Sequence, residues 1–207
     1  KTLKHGYRIG FSYNSNNEIN YATIANAQQF TDSLGISKRW YGHIDYTYRP
    51  GLRTFNDVRL GFVEQEIDSQ LLTLNPKYFF NKKTRIFYPE LSYSLKYYKV
   101  DYIPYPLTGW MGEASFLKRG FNKDMNMWQL AGKLTKSNQV LRKTWYAWQA
   151  QGVLRLPFNQ PFINQRLFGY SDFYLRGLED YVIDGVGAIL IKQTLRRELF
   201  QFKIATH

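Results

Sequence analysis

The sequence predicts an all-β fold, an antiparallel up-and-down transmembrane β-barrel. Apolar and polar residues alternate with period two along most of the chain, which places successive side chains on opposite faces of a strand. Several alternating segments reach about ten residues, whereas the strands of soluble sheets average about five or six. No segment combines helical periodicity with capping residues, so we expect the chain to be essentially all β.

The alternating segments follow one another in the order of a meander. In the first half they predict strands over residues 7–13, 18–27, 40–49, 58–62 and 72–80, with turns at 14–17, 50–51 and 81–83. In the second half they predict strands over residues 91–97, 114–116, 128–135 and 146–156. Residues 187–204 predict a last strand or hairpin, with a bulge near 196–198 where the parity of the apolar residues changes.

The alternation fails between Pro157 and Gly185, where proline, asparagine and glycine residues accumulate. Loops longer than about 15 residues without secondary structure of their own are uncommon unless they are functional. We therefore interpret residues 1–207 as a single β-barrel segment with one long loop, at about 157–185, that folds into the barrel.

On each predicted strand, polar side chains occupy the positions that alternate with the apolar ones, and we call these two sets of positions the polar and the apolar parity. In a large barrel the polar parity faces a wet lumen, while the apolar parity faces lipid. The candidates for the lumen wall are Asp45, Asp57, Arg59, Gln149, Gln151 and Arg155. Aromatic residues often stand near predicted strand ends, a placement typical of the girdles at membrane interfaces. The competing interpretation is cross-strand aromatic pairing in a soluble sheet.

The composition limits the classes of partner. The chain carries 28 Lys+Arg against 16 Asp+Glu, a net charge of +12, with a mean hydropathy of −0.46. The positive charges are scattered and no RNA-binding motif accompanies them, so we expect no nucleic-acid partner. The absence of cysteine excludes disulfides and thiolate sites.

We expect no enzyme, no metal and no cofactor. His5, His43 and His207 are too far apart in sequence to form a ligand motif. No serine stands in a G-x-S-x-G elbow, and no glycine-rich loop precedes a helix to hold phosphates.

The most specific segment lies in the long loop, where Leu175-Arg176-Gly177 stands within residues 170–185. It resembles the Arg-Gly loop of the outer-membrane assembly-factor superfamily, the BamA and TamA type barrels. The closest resemblance is to an uncharacterised barrel family that is often preceded by a carboxypeptidase regulatory-like domain. Leu178 stands where the assembly factors usually carry an aromatic residue. The resemblance implies a barrel of roughly 16 strands, of which this chain is expected to form an incomplete part.

Arg176 is the expected anchor of the loop, with Leu175, Gly177, Glu179 and Asp184 as its neighbours in the motif. A guanidinium presents its donors in a rigid fork that matches a carboxylate. An isolated charge removed from water is costly, so Arg176 should meet a carboxylate on the wall or within the loop. The wall candidates within residues 1–207 are Asp45, Asp57 and Glu64, and the local candidates are Glu179 and Asp184. The resemblance implies a further alternative, an acidic partner on strands that follow the loop, beyond His207.

The resemblance implies a non-enzymatic protein in the outer membrane of a Gram-negative bacterium. Its role would be to help insert, assemble or translocate other outer-membrane or surface proteins, by itself or as a subunit of a BAM-like complex. Its partners would be outer-membrane lipid, lipopolysaccharide and other outer-membrane or periplasmic proteins. Two other classes stay open at this point: a channel or transporter barrel that passes small solutes, and a soluble basic β-protein that binds anionic polymers.

Overall fold

The structure is a computed structural model that describes residues 4–31, 37–170, 177–178 and 181–200. Within this part of the chain there are twelve strands, one short α-helix and two 3₁₀ turns. The strands are β1 (His5–Asn16), β2 (Ile19–Ile24), β3 (Ala27–Thr31), β4 (Ser37–Tyr48), β5 (Thr54–Glu66), β6 (Arg85–Val100), β7 (Gly109–Arg119), β8 (Met127–Leu141), β9 (Thr144–Leu156), β10 (Arg166–Phe168), β11 (Ile183–Asp184) and β12 (Gly187–Arg197).

Eight of these strands form one antiparallel sheet in the order β1-β4-β5-β6-β7-β8-β9-β12. The other four form two small hairpins, β2 with β3 and β10 with β11, in the connections that the main sheet omits. The sheet strands are 11 to 16 residues long, and about 9–11 residues of tilted strand span a bilayer. The described sheet is open, with β1 at one edge and β12 at the other.

The register is continuous across the sheet, so the two parities form two faces. Ile9, Ile44, Leu60 and Leu91 lie opposite one another on β1, β4, β5 and β6. Phe116, Leu130 and Leu154 continue the apolar side chains across β7, β8 and β9. We call this side the apolar face and the other side the polar face. Many large apolar residues of the apolar face are exposed, among them Leu91 at 42% and Ile9 at 80%.

Aromatic rings gather on the apolar face at both ends of the strands. At one end Tyr13 contacts Trp40 in a tilted arrangement, with ring centroids 4.2 Å apart. At the other end Tyr97 stacks on Trp110, with ring centroids 4.6 Å apart. Aliphatic side chains such as Leu91 occupy the middle of the face. Aromatic bands that flank an aliphatic belt are the pattern of barrel strands at membrane interfaces.

The connections at the two ends of the sheet differ in length. Connections over residues 49–53, 101–108 and 142–143, none longer than eight residues, join strands at one end. Connections over residues 17–36, 67–84, 120–126 and 157–186 join them at the other end, which we call the loop end, and all of these except 120–126 have 18 or more residues. Transmembrane barrels characteristically have short turns on one side and long loops on the opposite side.

The prediction of a strand over residues 72–80 is wrong. The segment contains α1 (Ser69–Leu74), where the Asp68 side chain accepts a hydrogen bond from the Gln70 N–H at 2.8 Å and caps the helix. A 3₁₀ turn follows at Phe80–Lys82. Burial in this segment does not follow a single parity, since Leu71, Tyr78 and Phe79 are buried beneath the loops whereas Leu74 is 42% exposed. No helix in the described ranges is both long enough and apolar enough to cross a membrane.

Smaller differences concern strand ends. β1 runs through Asn16, beyond the predicted turn start at Asn14. β12 pairs with β9 without a shift as far as Arg197, so no bulge interrupts it up to that residue. The predicted continuation over residues 201–204 lies outside the described residues.

The apolar core lies at the loop end and not within the middle of the sheet. The sheet contributes three side chains to this core, near the loop ends of β5 and β6: Val63, Ile86 and Tyr88. The connections pack on these with Ile19, Ile67, Leu71, Tyr78, Phe79, Met125 and Phe162. The long connections therefore pack together as one cap over the end of the polar face.

Candidate functional site on the polar face

Paired charges line the polar face across β4 and β5. Arg59 Nε donates to Asp45 Oδ1 at 2.6 Å and Arg59 Nη2 donates to Asp45 Oδ2 at 2.9 Å. His43 Nε2 lies 3.7 Å from Asp45 Oδ2. On the same face the Thr47 hydroxyl donates to Asp57 Oδ1 at 2.6 Å. The guanidinium of Arg59 holds the Asp45 carboxylate in two parallel hydrogen bonds, which fixes both side chains.

Two glycines make room for aromatic rings on this face. A side chain at Gly10 would overlap the His43 imidazole on the next strand, and a Cβ at Gly61 would lie 2.9 Å from Tyr41 Cε2. Tyr41 and His43 stack with ring centroids 5.0 Å apart. The rings therefore lie flat against neighbouring backbone, which a larger residue at either glycine would prevent.

An arginine of β7 holds the start of the long loop. Arg119 Nε donates to Glu90 Oε1 on β6 at 2.6 Å, and Arg119 Nη1 donates to Asn164 Oδ1 at 2.7 Å. Asn164 is 2% exposed, and its amide nitrogen donates to Gln160 Oε1 at 2.9 Å. One guanidinium thus joins two sheet strands to the loop.

An arginine of β9 binds backbone carbonyls in the same part of the loop. Arg155 Nη1 donates to the Asn164 carbonyl at 2.6 Å and to the Arg166 carbonyl at 2.8 Å. Its Nε donates to Gln129 Oε1 on β8 at 2.7 Å. Arg119 and Arg155 therefore fix residues 164–166 against the polar face, which directs β10 and the following residues over it.

The β2–β3 hairpin packs on the far end of the long loop. The Tyr170 hydroxyl donates to Asp184 Oδ1 at 2.6 Å and is hydrogen-bonded to the Thr23 hydroxyl at 2.9 Å. The Val182 N–H donates to the Asn26 carbonyl at 2.9 Å. Burial, together with the bond to Asp184, raises the pKa of Tyr170 to about 12. The hydroxyl therefore remains a donor at neutral pH, and the two loops are held together.

A second polar contact joins the other two loops. Lys83 Nζ lies 2.5 Å from Asp124 Oδ2, and Asn81 Nδ2 donates to Asp124 Oδ1 at 3.0 Å. The hydrogen bonds from Lys83 and Asn81 lower the pKa of Asp124 below its usual 3.8. All four connections of the loop end thus take part in the cap, through either its apolar core or its polar contacts.

The predicted lumen-wall residues all lie on the polar face. Asp45, Asp57 and Arg59 make the contacts described above on β4 and β5. On β9, Gln149 Nε2 donates to Gln151 Oε1 at 3.0 Å, and Arg155 follows on the same parity. The register therefore brings these six positions to one side of one sheet.

The predicted anchor motif is described only in part. Leu175, Arg176 and Glu179 lie outside the described residues. Gly177 has φ +78°, with open space where a Cβ would stand. Asp184, a predicted local partner of Arg176, accepts the hydrogen bond from Tyr170.

The wall carboxylates that we considered for Arg176 have partners within the described residues. Asp45 binds Arg59, and Asp57 accepts from Thr47. Glu64 forms an ion pair with Arg85 and stands opposite Trp40 and Phe87, on the parity of the apolar face. Its place on that face argues against a role as a lumen carboxylate.

Sequence reasoning missed Arg119, Asn164, Thr23 and Tyr170 as residues that hold the loops. These residues bond to carboxylates, side-chain amides, a guanidinium and hydroxyls, mostly on other elements, and such pairs leave no spacing pattern in the sequence. Alternation could have assigned Arg119 to the polar face, because it shares the polar parity of β7 with Glu113 and Ser115.

An open antiparallel meander with one apolar and one polar face defines a wall segment of β-barrel type, and comparison with solved structures agrees. The chain is similar to the crystal structure of BamA from Haemophilus ducreyi lacking POTRA domains 1–3, with a TM-score of 0.55 and 13% sequence identity. The match covers 78% of this chain and 37% of the BamA chain. No family model and no curated protein matches the sequence. The prediction of an all-β antiparallel chain is therefore confirmed, and its fold is similar to that of BamA.

Proposed function

We propose that the chain forms part of the wall of an outer-membrane β-barrel in a Gram-negative bacterium. Its proposed role is to help insert, assemble or translocate other outer-membrane or surface proteins, without enzymatic chemistry or a cofactor. It would act by itself or as a subunit of a larger assembly complex. Its surroundings would be outer-membrane lipid and lipopolysaccharide.

The observation that carries the membrane part of this proposal is the exposed apolar face. Ile9, Ile44, Leu130 and Ile189 are exposed by 80%, 54%, 54% and 79%, across most of the width of the sheet. Monomeric soluble proteins rarely expose apolar patches of more than a few hundred Å². Lipid covers such a face at no cost, because its acyl chains are as apolar as the side chains.

The free edges of the sheet support a larger barrel. β1 and β12 each present one side without a strand neighbour in the described sheet. In lipid every unpaired backbone group costs several kcal/mol. We infer that further strands pair with both edges and close the barrel, at roughly 16 strands by the resemblance noted above.

The assembly role is supported by the likeness in fold to BamA and by the docked loops. Arg119 and Arg155 hold the long loop against the polar face, and the cap packs over its loop end. A wall covered in this way is less suited to free diffusion of solutes than an open pore. The second candidate, a solute channel, is favoured by the charges that line the polar face, including Asp45, Arg59 and Lys133.

Depletion of the protein in its native host distinguishes the two candidates. An assembly role predicts that many unrelated outer-membrane proteins fall in abundance together, measured by quantitative proteomics of the outer membrane. A channel role predicts that one uptake activity is lost while the other barrels keep their abundance. The second result would contradict the proposed assembly function.

A further inference from the structure

A cavity of about 450 Å³ lies between the polar face and the start of the long loop. The sheet contributes Lys96, Glu113, Lys133, Gln151 and Arg155, and β10 contributes Arg166. Tyr170 completes the lining on the side of the loop. The volume lies in the range of about 300–1,000 Å³ that small-molecule sites occupy.

Strand register brings the polar lining residues to one level. Lys96 stands opposite Glu113, Glu113 opposite Lys133, and Lys133 opposite Gln151, on the four adjacent strands β6 to β9. Directly opposed residues of an antiparallel pair have Cβ atoms about 4.5–5.5 Å apart. Lys96 and Lys133 are therefore close enough to act on one ligand from either side of Glu113.

The cavity is cationic. Its lining holds Lys96, Lys133, Arg155 and Arg166 against the single carboxylate of Glu113. Among the described residues, none of these four cations lies within ion-pair distance of a carboxylate. Glu113 accepts a hydrogen bond from the Tyr98 hydroxyl at 2.9 Å.

The contacts described for Arg155 and Arg166 involve neutral groups, so these contacts do not compensate the two positive charges. Arg155 is held by neutral acceptors, the side chain of Gln129 and the carbonyls of Asn164 and Arg166. Arg166 lies beside the rings of Phe162 and Tyr170, at 5.9 and 5.5 Å from their centroids. Neither set of contacts neutralises a guanidinium.

Two buried donors in the lining have no acceptor within the described part of the chain. They are Gln151 Nε2 and Arg166 Nε. A buried donor without an acceptor costs about 1–3 kcal/mol, so native structures rarely retain one. Both donors belong to residues that line the cationic cavity, so an oxygen acceptor in the cavity would satisfy them.

We propose that this cavity binds a small oxyanion, a phosphate or carboxylate group of a solute. Lys96 and Lys133 supply the charge, and Arg166 and Gln151 supply donors from the opposite sides of the cavity. Arg155 is a positioning residue, because its bond to the Arg166 carbonyl sets β10 above the sheet. The inference rests on the polar face and the start of the long loop, and it holds whether the barrel assembles proteins or passes solutes.

The test is calorimetric titration of the full-length protein in detergent with inorganic phosphate at low ionic strength. We expect saturable binding that weakens about tenfold in Lys133→Gln, since a charge-assisted hydrogen bond contributes about 1.5–3 kcal/mol and 1.4 kcal/mol is a factor of ten. Lys133→Arg retains the charge and should bind phosphate within about threefold of the wild type.

Lys136→Gln is the matched control. Lys136 lies on the same strand, three residues along and on the apolar-face parity, opposite Trp110 and Trp148. It should bind phosphate as the wild type does. Two results would overturn the proposal. One is the absence of saturable phosphate binding by the wild type. The other is equal affinity for phosphate in Lys133→Gln and the wild type, when heat-modifiable gel migration shows that both proteins are folded.

Discussion

At the scale of single residues, the polar face uses arginine as a connector. Arg59 fixes Asp45 within the sheet, whereas Arg119 and Arg155 reach out of the sheet to the loop. The guanidinium suits both tasks because its five donors can serve several acceptors in one plane. In both loop contacts, wall arginines bind oxygens of the loop.

Asn164 is the residue on which both of these wall arginines converge. Asn164→Ala removes the acceptor of Arg119 and the donor to Gln160 in a buried position. We expect it to destabilise the docked loop by about 1–3 kcal/mol, because the buried partners lose their bonds. The measurement is limited proteolysis of the folded protein, with cleavage within residues 157–186 accelerated.

Asn159→Ala provides the control for this prediction. Asn159 lies in the same loop, five residues earlier, and is exposed. Its substitution should leave the cleavage rate unchanged. Equal cleavage rates for Asn164→Ala and the wild type would show that the arginine contacts do not hold the loop.

The sequence could predict the polar-face residues but not the residues that hold the loop. Asp45, Asp57 and Arg59 follow from alternation, since period two assigns them to one face once the strand is recognised. The Asn164 contacts depend on how a loop of irregular backbone crosses the sheet, which no local pattern encodes. Arg176 stays a prediction, because it lies outside the described residues.

At the scale of elements, the four connections of the loop end form one cap with a common core. α1, the β2–β3 hairpin and the start of the long loop all contribute buried side chains to it, among them Leu71, Ile19 and Phe162. Such packing makes each loop depend on the others, because a buried cluster loses contacts on all sides when one member leaves. The cap is therefore expected to open cooperatively.

The cap should loosen in acid. Because the folded-state pKa of Asp124 lies below 3.8, its contacts with Lys83 and Asn81 stabilise the cap above about pH 3.8 and are lost as the pH falls through the lowered value. We expect the protection of residues 120–126 against hydrogen exchange, taken relative to the intrinsic rate at each pH, to fall in that range. In Asp124→Asn the exchange should be faster at neutral pH and should lose this part of its acid dependence. The same acid dependence in Asp124→Asn and the wild type would contradict the assignment.

Local signals could have corrected one element that alternation misread. Leu72, Leu74, Tyr78 and Phe80 share a parity and predict a strand over 72–80, but Asp68 caps a helix at its start. Short helices of this kind are stabilised mainly by burial of an apolar side chain and by their cap, so their periodicity is brief. The long sheet strands were predictable because both faces repeat over 11 or more residues.

At the scale of the whole molecule, the account depends on which environment each face of the sheet meets. The apolar face is exposed, carries aromatic rings at both ends and is mainly aliphatic between them, with Tyr93 and Phe116 as aromatic residues near its middle. The polar face carries paired charges and is covered by the cap at the loop end. These two faces, together with the likeness in fold to BamA, underlie the proposed place in the outer membrane.

The most direct test of that central claim is accessibility of spin labels on adjacent residues of the same strand. Because the sequence has no cysteine, single cysteines at Leu91 and Ser92 on β6, and at Leu130 and Ala131 on β8, can be labelled uniquely in the full-length protein in lipid vesicles. Paramagnetic relaxation would be measured with oxygen, which concentrates in lipid, and with a water-soluble nickel complex. We predict that labels at Leu91 and Leu130 respond to oxygen, and labels at Ser92 and Ala131 to nickel or to neither reagent. Nickel accessibility at Leu91 and Leu130 equal to that of a label on an aqueous loop would contradict the account, because the apolar face would then meet water.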